Sequence, residues 1–440
     1  MSLLTGDSTF NDAGDFEDVL AGVKFPDLAV ARLHLPRAPE LDLHLVVPAA
    51  VRSLVEKARL PAGTRVAVTA GSRGITNISI ILRLAVSTLR AAGLEPFVVA
   101  AMGSHGGGTR EGQTAVLAGL GITPARVGAP VHVTAEAVPL GLTPAGLPVF
   151  CDREAAEAGA VLVINRVKPH TAFRGNIGSG LCKMLAVGLG KQEGAAVVHS
   201  FGPSGMESAV AEIARFMLAR LPVMGGLAIL EDGYGRTARI EALPPGDWPL
   251  AEAALYREAV ALLPHLPFNN VDVLIVDTIG KNISGTGMDT NVTGRWGGAG
   301  SGDGDLQARR VVALRLHPAS HGNANGVGLA DIVPKALADA IDVRATYLNA
   351  ITTTLVERVK LPMVMPTEKL AIAAALKTCG NQGDDLRVVR IKNTRQLELV
   401  AVSKPLLAEL LAKKAGEEIT PATPPVFTAQ GELMDPVEGW

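Results

Sequence analysis

The feature that most constrains this chain is a unit repeated along its first half: a short apolar run, a polar glycine-bearing loop, then a stretch with helical periodicity. Residues 65–68 (RVAV) read as a buried strand, and the loop Ala70-Gly71-Ser72-Arg73-Gly74 follows. Over 75–92, Ile78, Ile81, Leu82, Ala85, Val86 and Leu89 recur at helical spacing. A second run, 96–101 (PFVVAA), ends in MGSHGGGTREG, ahead of a helix expected over about 109–120. A third, 161–164 (VLVI), ends in NRVKPH. Strand, loop and helix in this order predict a parallel sheet with helices on its faces. In such sheets the loops beyond the strands' carboxyl ends line the ligand crevice, and all three polar loops fall there.

Downstream, 204–221 reads as a helix whose Ser204 and Glu207 have capping-box spacing, and 226–230 as a further strand. The turn-rich segment 263–270 (LPHLPFNN) is the expected boundary between two modules. Beyond it, the run 271–276 (VDVLIV) enters the loop TIGKNISGTGMD. Helices are expected over 367–377 and 404–414, with strands near 387–391 and 397–402. The expected fold class is therefore α/β: two α/β domains with mostly parallel sheets and an active-site cleft between them. The boundaries drawn are 1–265 and a smaller 266–440, whose Pro-rich tail packs back on the first domain. A length of 440 residues accommodates two such domains.

Charge and cysteine usage narrow the function class. With 41 Lys and Arg against 43 Asp and Glu, the surface gives no general reason to bind nucleic acid or an acidic membrane. Cys151, Cys182 and Cys379 are scattered, which argues against a disulfide framework or a zinc knuckle and for a reducing, cytoplasmic setting. The start, MSLLTGDSTFNDAGD, lacks the basic and apolar regions of a leader, and no apolar stretch reaches membrane-spanning length. A homo-oligomer is compatible with all of this.

Several residues could carry chemistry, and each also has a plain structural reading. His105 sits in GSHGGG, where glycines let backbone N–H groups approach an anion; the plain reading is a phosphate nest with an incidental histidine. His170 follows Pro169, which fixes the backbone ahead of the ring; otherwise it is a surface turn residue. Lys183 in GSGLCKMLA is half-buried on almost any fold, which is costly for an ammonium unless it is paired or chemically used. Its alternative is a packed stem with the amine in water. Gly178, Ser179 and Gly180 before it would admit a phosphate. His199 in GAAVVHS is either a hydrogen-bonded core residue or a metal ligand, and imidazole suits nickel. Arg73 and Lys281 are loop cations, one per module; aimed into one cleft they would suit a small carboxylic acid. On residues alone the chain reads as an α/β enzyme with a polar cleft and an anionic ligand. A nicotinamide or phosphate-ester enzyme would need a G-x-G-x-x-G opening a helix, which is missing. A carrier of a nucleotide or hydroxy acid needs no acid/base pair.

Taken together, the order and spacing of His105, His170, Lys183 and His199 resemble those of the nickel-dependent lactate racemase family, with RVKPH, GSGLCKM and VVHS carrying most of the likeness. The resemblance implies that His105 and His170 are the acid/base pair. It implies that Lys183 covalently anchors a nickel-pincer nucleotide, a pyridinium-3,5-bisthiocarboxylic acid mononucleotide carrying nickel, with Ser179 and Gly180 beside it. His199 would complete the metal's coordination, and Arg73 and Lys281 would hold the substrate carboxylate. The first domain would bind the cofactor and the second would close over the substrate. The implied reaction is inversion at C2 of a 2-hydroxy acid through reversible hydride transfer, with one histidine serving each enantiomer. Ala70 and Ser72 stand where the family's D-x-T-R loop has aspartate and threonine, which points to larger hydroxy acids or sugar acids as substrates.

Overall fold

The computed structural model describes residues 14–173, 175–297 and 305–440; the first thirteen residues, read above as carrying no leader, lie outside them. The chain divides into two compact units, Pro36–Leu263 and a second made of Pro264–Trp440 with the segment before Pro36. In the first unit the strand order is Val131–His132, Glu95–Ala100, Arg65–Ala70, Ala160–Arg166, Val223–Glu231, Thr237–Leu243. All neighbours are parallel except the last pair. Alternation along each strand feeds two cores. Ala67, Val161 and Val163 face one, and Val66, Val68, Leu162 and Ile164 face the other. A strand buried on both faces must be apolar at every position, which is why these runs read as continuous rather than alternating.

Helices Ile78–Ala91, Arg110–Gly119 and Gly202–Arg220 lie where the periodicity placed them. The capping box at Ser204 does not form. Pro203, with its fixed backbone angle, sits at the first turn and starts the helix earlier, and Glu207 instead accepts from the amides of Asn176 (2.6 Å) and Ile177 (3.2 Å). From Arg65–Ala70 the chain moves outward to Glu95–Ala100 on one side, while Ala160–Arg166 fills the other side. The carboxyl ends of these two strands therefore form a topological switch point, where a sheet of this kind opens a crevice.

The second unit holds an eight-stranded sheet in the order Met363–Met365, Ile332–Pro334, Gln307–Leu316, Asn270–Ile279, Val388–Asn393, Gln396–Ser403, Leu28–Leu33, Gly416–Glu418. The first five strands are parallel and the remaining pairs antiparallel. One expectation needs correction. The segment up to Leu35 does not belong with the first domain, because Leu28–Leu33 pairs with both Gln396–Ser403 and Gly416–Glu418. The tail is part of the second unit. Trp440 is buried in its own unit, its Nε1 donating to Asp277 Oδ2 at 2.7 Å and its ring 5.2 Å from the Arg390 guanidinium. Among the described residues no helix is long and apolar enough to cross a membrane.

Candidate active site

Three loops meet at the switch point of the first unit. The loop after Arg65–Ala70 brings Ser72 and Arg73; the loop after Glu95–Ala100 brings His105; the segment after Ala160–Arg166 brings Lys168 and His170. Ser72 Oγ hydrogen-bonds His105 Nδ1, and Arg73 Nη2 lies 3.4 Å from His105 Nε2. A guanidinium can only donate, so Nε2 faces it with a lone pair and the ring proton sits on Nδ1, directed to the serine. The glycines after His105 serve the turn. Gly106 has φ 65°, and a Cβ there would stand 2.6 Å from the Gln113 nitrogen.

His170 is set the opposite way. Its buried ring stacks on Phe173 at 4.5 Å, and its Nδ1 accepts the amide of Ala172 at 3.1 Å. The proton of the neutral ring is then on Nε2, which lies 2.5 Å from Lys183 Nζ. An imidazole that donates at Nε2 requires the lysine nitrogen to accept, and only the free amine has a lone pair. Electrostatics agree: desolvation first, then repulsion from Arg73 and Lys168, bring the Lys183 pKa down from 10.5 to about 7. His199 is pulled down from 6.5 to about 4 by burial, with the Lys183 charge adding to it, so its ring is neutral near pH 7. Desolvation and the neighbouring Arg166 lower Arg73 below the ordinary arginine value.

The backbone that carries Lys183 is unusual. Leu181–Lys183 runs into a π-helical turn, Met184–Leu189, and then into the helix Lys191–Ser200 that presents His199. Glu252, fully buried in helix Trp248–Leu262, accepts the Cys182 amide at 3.0 Å and caps the start of this run. Packing alone requires small residues before Lys183. A Cβ on Gly180 would stand 2.2 Å from Glu252 Oε1 and one on Gly178 2.5 Å from the Lys168 carbonyl, while the Ser179 amide is already bonded to that carbonyl at 2.9 Å.

The structure thus puts Arg73 against His105 and His170 against Lys183, with Lys183 within the electrostatic reach of Arg73 and His199 within that of Lys183. Lys281 belongs to the other unit, at the end of Asn270–Ile279, where its Nζ donates to Asn349 Oδ1 at 2.6 Å. Sequence reasoning missed Ser72 as the partner that orients His105, Lys168 as a further cation, and Glu252. Ser72 and Lys168 adjoin chosen residues and could have been found by asking what each loop does next to its histidine. Glu252 lies 70 residues from Cys182 and gave no signal. Glu231, unassigned from sequence, braces the crevice wall by pairing with Arg166 and accepting the Thr76 amide at 2.7 Å. Among the described residues no group of three or more His, Cys, Asp and Glu could hold a metal ion.

Residues 30–201 match the family model described as the lactate racemase N-terminal domain. Over those residues the chain is similar to the lactate racemase N-terminal domain. The lactate racemase apoprotein of Thermoanaerobacterium thermosaccharolyticum shares the fold of this chain, with a TM-score of 0.51 at 12% identity over 83% of this chain and 94% of that one. A crystal structure of a Thermotoga maritima protein matches with a TM-score of 0.47 at 14% identity, over 64% of this chain and 72% of that one. No curated protein matches.

Proposed function

We propose that this lactate racemase-like chain is a racemase or epimerase that inverts the hydroxyl-bearing C2 of a 2-hydroxy acid or sugar acid. Two histidines brought to one switch point carry this reading, His105 presenting a lone pair at Nε2 and His170 a proton at Nε2. A reaction that runs from either enantiomer needs an imidazole for each that takes the hydroxyl proton and, as imidazolium, gives it back, and imidazole serves both directions near neutrality. From one enantiomer His105 takes the hydroxyl proton at Nε2; from the other, His170 does so once its ring proton has moved from Nε2 to Nδ1, releasing the Ala172 amide. Arg73, beside His105, holds the carboxylate while the planar 2-keto acid turns.

The residues fit the nickel-pincer nucleotide that the family resemblance implies. Lys183 offers a free amine able to form the covalent anchor, and His199 a neutral imidazole able to bind nickel. One imidazole is a small protein share of a metal's coordination, which suits a metal that arrives with most of its ligands. Ser179, next to the anchoring segment, is the remaining candidate for cofactor contact. When bound, the group supplies a pyridinium ring that accepts and returns the hydride of C2.

The test is a panel of 2-hydroxy acids and sugar acids given to protein carrying the nickel-pincer nucleotide and followed by chiral chromatography. Inversion at C2 of at least one member is expected, and retention by every member would sink the proposal. Lys183→Ala should lose the added peptide mass and His199→Ala the nickel. His105→Gln and His170→Gln should keep both yet lower turnover by about a hundredfold or more.

A further inference from the structure

Behind the crevice lies a buried polar cluster that the proposed chemistry does not use. Lys191, 1% exposed, stands at the junction of the π-helical turn and the helix bearing His199, with φ 58°. That left-handed conformation is rare for a residue with a Cβ, and it persists only where the surroundings impose it. Here it turns the side chain inward. The ammonium pairs with Asp152 Oδ2 at 3.0 Å and donates to the Ala100 carbonyl at 2.9 Å and to Gln113 Oε1 at 3.3 Å. Asp152 is itself fully buried. Gln113, 1% exposed, passes the connection on. Its Nε2 donates to the carbonyls of Gly103 (3.0 Å) and His105 (3.3 Å). A separate bond, from the Gly103 amide to the Gly188 carbonyl at 3.2 Å, ties the same loop to the π-helical turn.

We propose that Lys191 and Gln113 are positioning residues that lock the His105 loop to the segment running from Lys183 to His199, so that the base and the two groups assigned to the cofactor hold one fixed spacing. The geometry is specific to this task. A buried ammonium is costly unless it is paired and hydrogen-bonded, and here it donates to the end of strand Glu95–Ala100 and to the amide oxygen of Gln113 while pairing with the carboxylate of Asp152. The glutamine's two ends are used differently, the oxygen on Lys191 and the nitrogen on the histidine loop. A carboxylate in its place would keep the first bond and lose the second. The proposal rests on the acid/base reading of His105 for its effect on turnover, but not for its effect on the loop.

Gln113→Glu separates the two. It leaves an acceptor for Lys191 and removes the donor to Gly103 and His105. In full-length protein, amide hydrogen exchange over 102–109 should rise by about tenfold or more, since two buried bonds to the loop are lost. The 13C-labelled His105 ring resonance, assigned by its absence in His105→Gln, should shift. In protein carrying the nickel-pincer nucleotide the variant should lower kcat by about tenfold with KM unchanged, because the substrate-orienting Arg73 is untouched. Should the glutamate prevent folding, Gln113→Met supplies the same loss of donor without charge. Unchanged exchange and an unchanged His105 resonance would overturn the proposal whatever the activity, as would a loosened loop with full kcat. A loosened loop in a protein whose parent inverts no hydroxy acid would leave the lock standing and remove the function proposed above.

Discussion

Lys183 is the side chain whose protonation can be followed without any substrate. With its pKa at about 7, the amine is nucleophilic across the neutral range, whereas an ordinary lysine is almost wholly protonated there. Acylation of the cofactor-free protein by an amine-reactive ester, read by peptide mass, should therefore rise with pH at Lys183 and level off above about 7, while other lysines continue to gain reactivity. A profile at Lys183 that keeps rising toward pH 10 would contradict the hydrogen-bond pattern with His170. Stability follows the same titration. Between about 7 and 10.5 the unfolded chain binds a proton that the folded one does not, so this group makes stability increase with pH over that window and leaves it flat below it. Lys183→Met should remove that increase and raise the thermal midpoint most at pH 7 and below. The sequence made this lysine legible because apolar neighbours on both sides forecast a partly buried amine. It could not reveal the tautomers, because each depends on a contact that only folding creates: Ser72 on His105, and the turned-back amide of Ala172 on His170.

At the scale of elements, the short helical run carrying Lys183 depends on a carboxylate from elsewhere in the unit. Glu252 caps it by accepting the amides of Cys182 and Leu181, yet burial raises its pKa from 4.5 to about 7. The folded state thus holds a proton between about 4.5 and 7 that the unfolded state has released, so the contribution is fully present below 4.5 and is lost as pH rises through 7. Urea unfolding across this range should show that slope, and Glu252→Gln, which retains an acceptor for the amides, should flatten it. Glu252→Ala strands both donors and should cost about 1–3 kcal/mol. A slope that survives in Glu252→Gln would place the proton elsewhere. The strands and helices around this run were readable because each obeys a periodicity set by burial on one or two faces. The π-helical turn was not, since one extra residue per turn leaves no mark in a pattern of apolar residues that are buried on every side. The misread capping box at Ser204 has a similar origin: the spacing was right, but Pro203 began the helix a step earlier and freed Glu207 to hold the loop at Asn176.

The whole molecule raises the question of what folds independently. The first unit owns a complete, mostly parallel sheet and both of its cores within Pro36–Leu263. The second unit does not own its sheet in one continuous stretch. Leu28–Leu33 sits between Gln396–Ser403 and Gly416–Glu418, and its Ala29, Val30, Ala31 and Leu33 are buried to 1% exposure or less. Sequence reading placed the internal boundary in the turn-rich stretch before Asn270 because composition changes there. It gave the opening residues to the wrong unit because a strand's partner is not encoded near the strand. Residues 36–263 expressed alone should accordingly unfold in one cooperative calorimetric transition. Residues 264–440 alone would expose the edge that Leu28–Leu33 covers, along with the apolar surface beneath it, and should show no such transition. Supplying residues 14–35, as a separate peptide or joined by a short linker, should restore it, because the missing strand then completes the ladder on both sides. Cooperative unfolding of 264–440 without that strand would show that the antiparallel half of the sheet is dispensable, and that the opening segment is held by the second unit rather than holding it together.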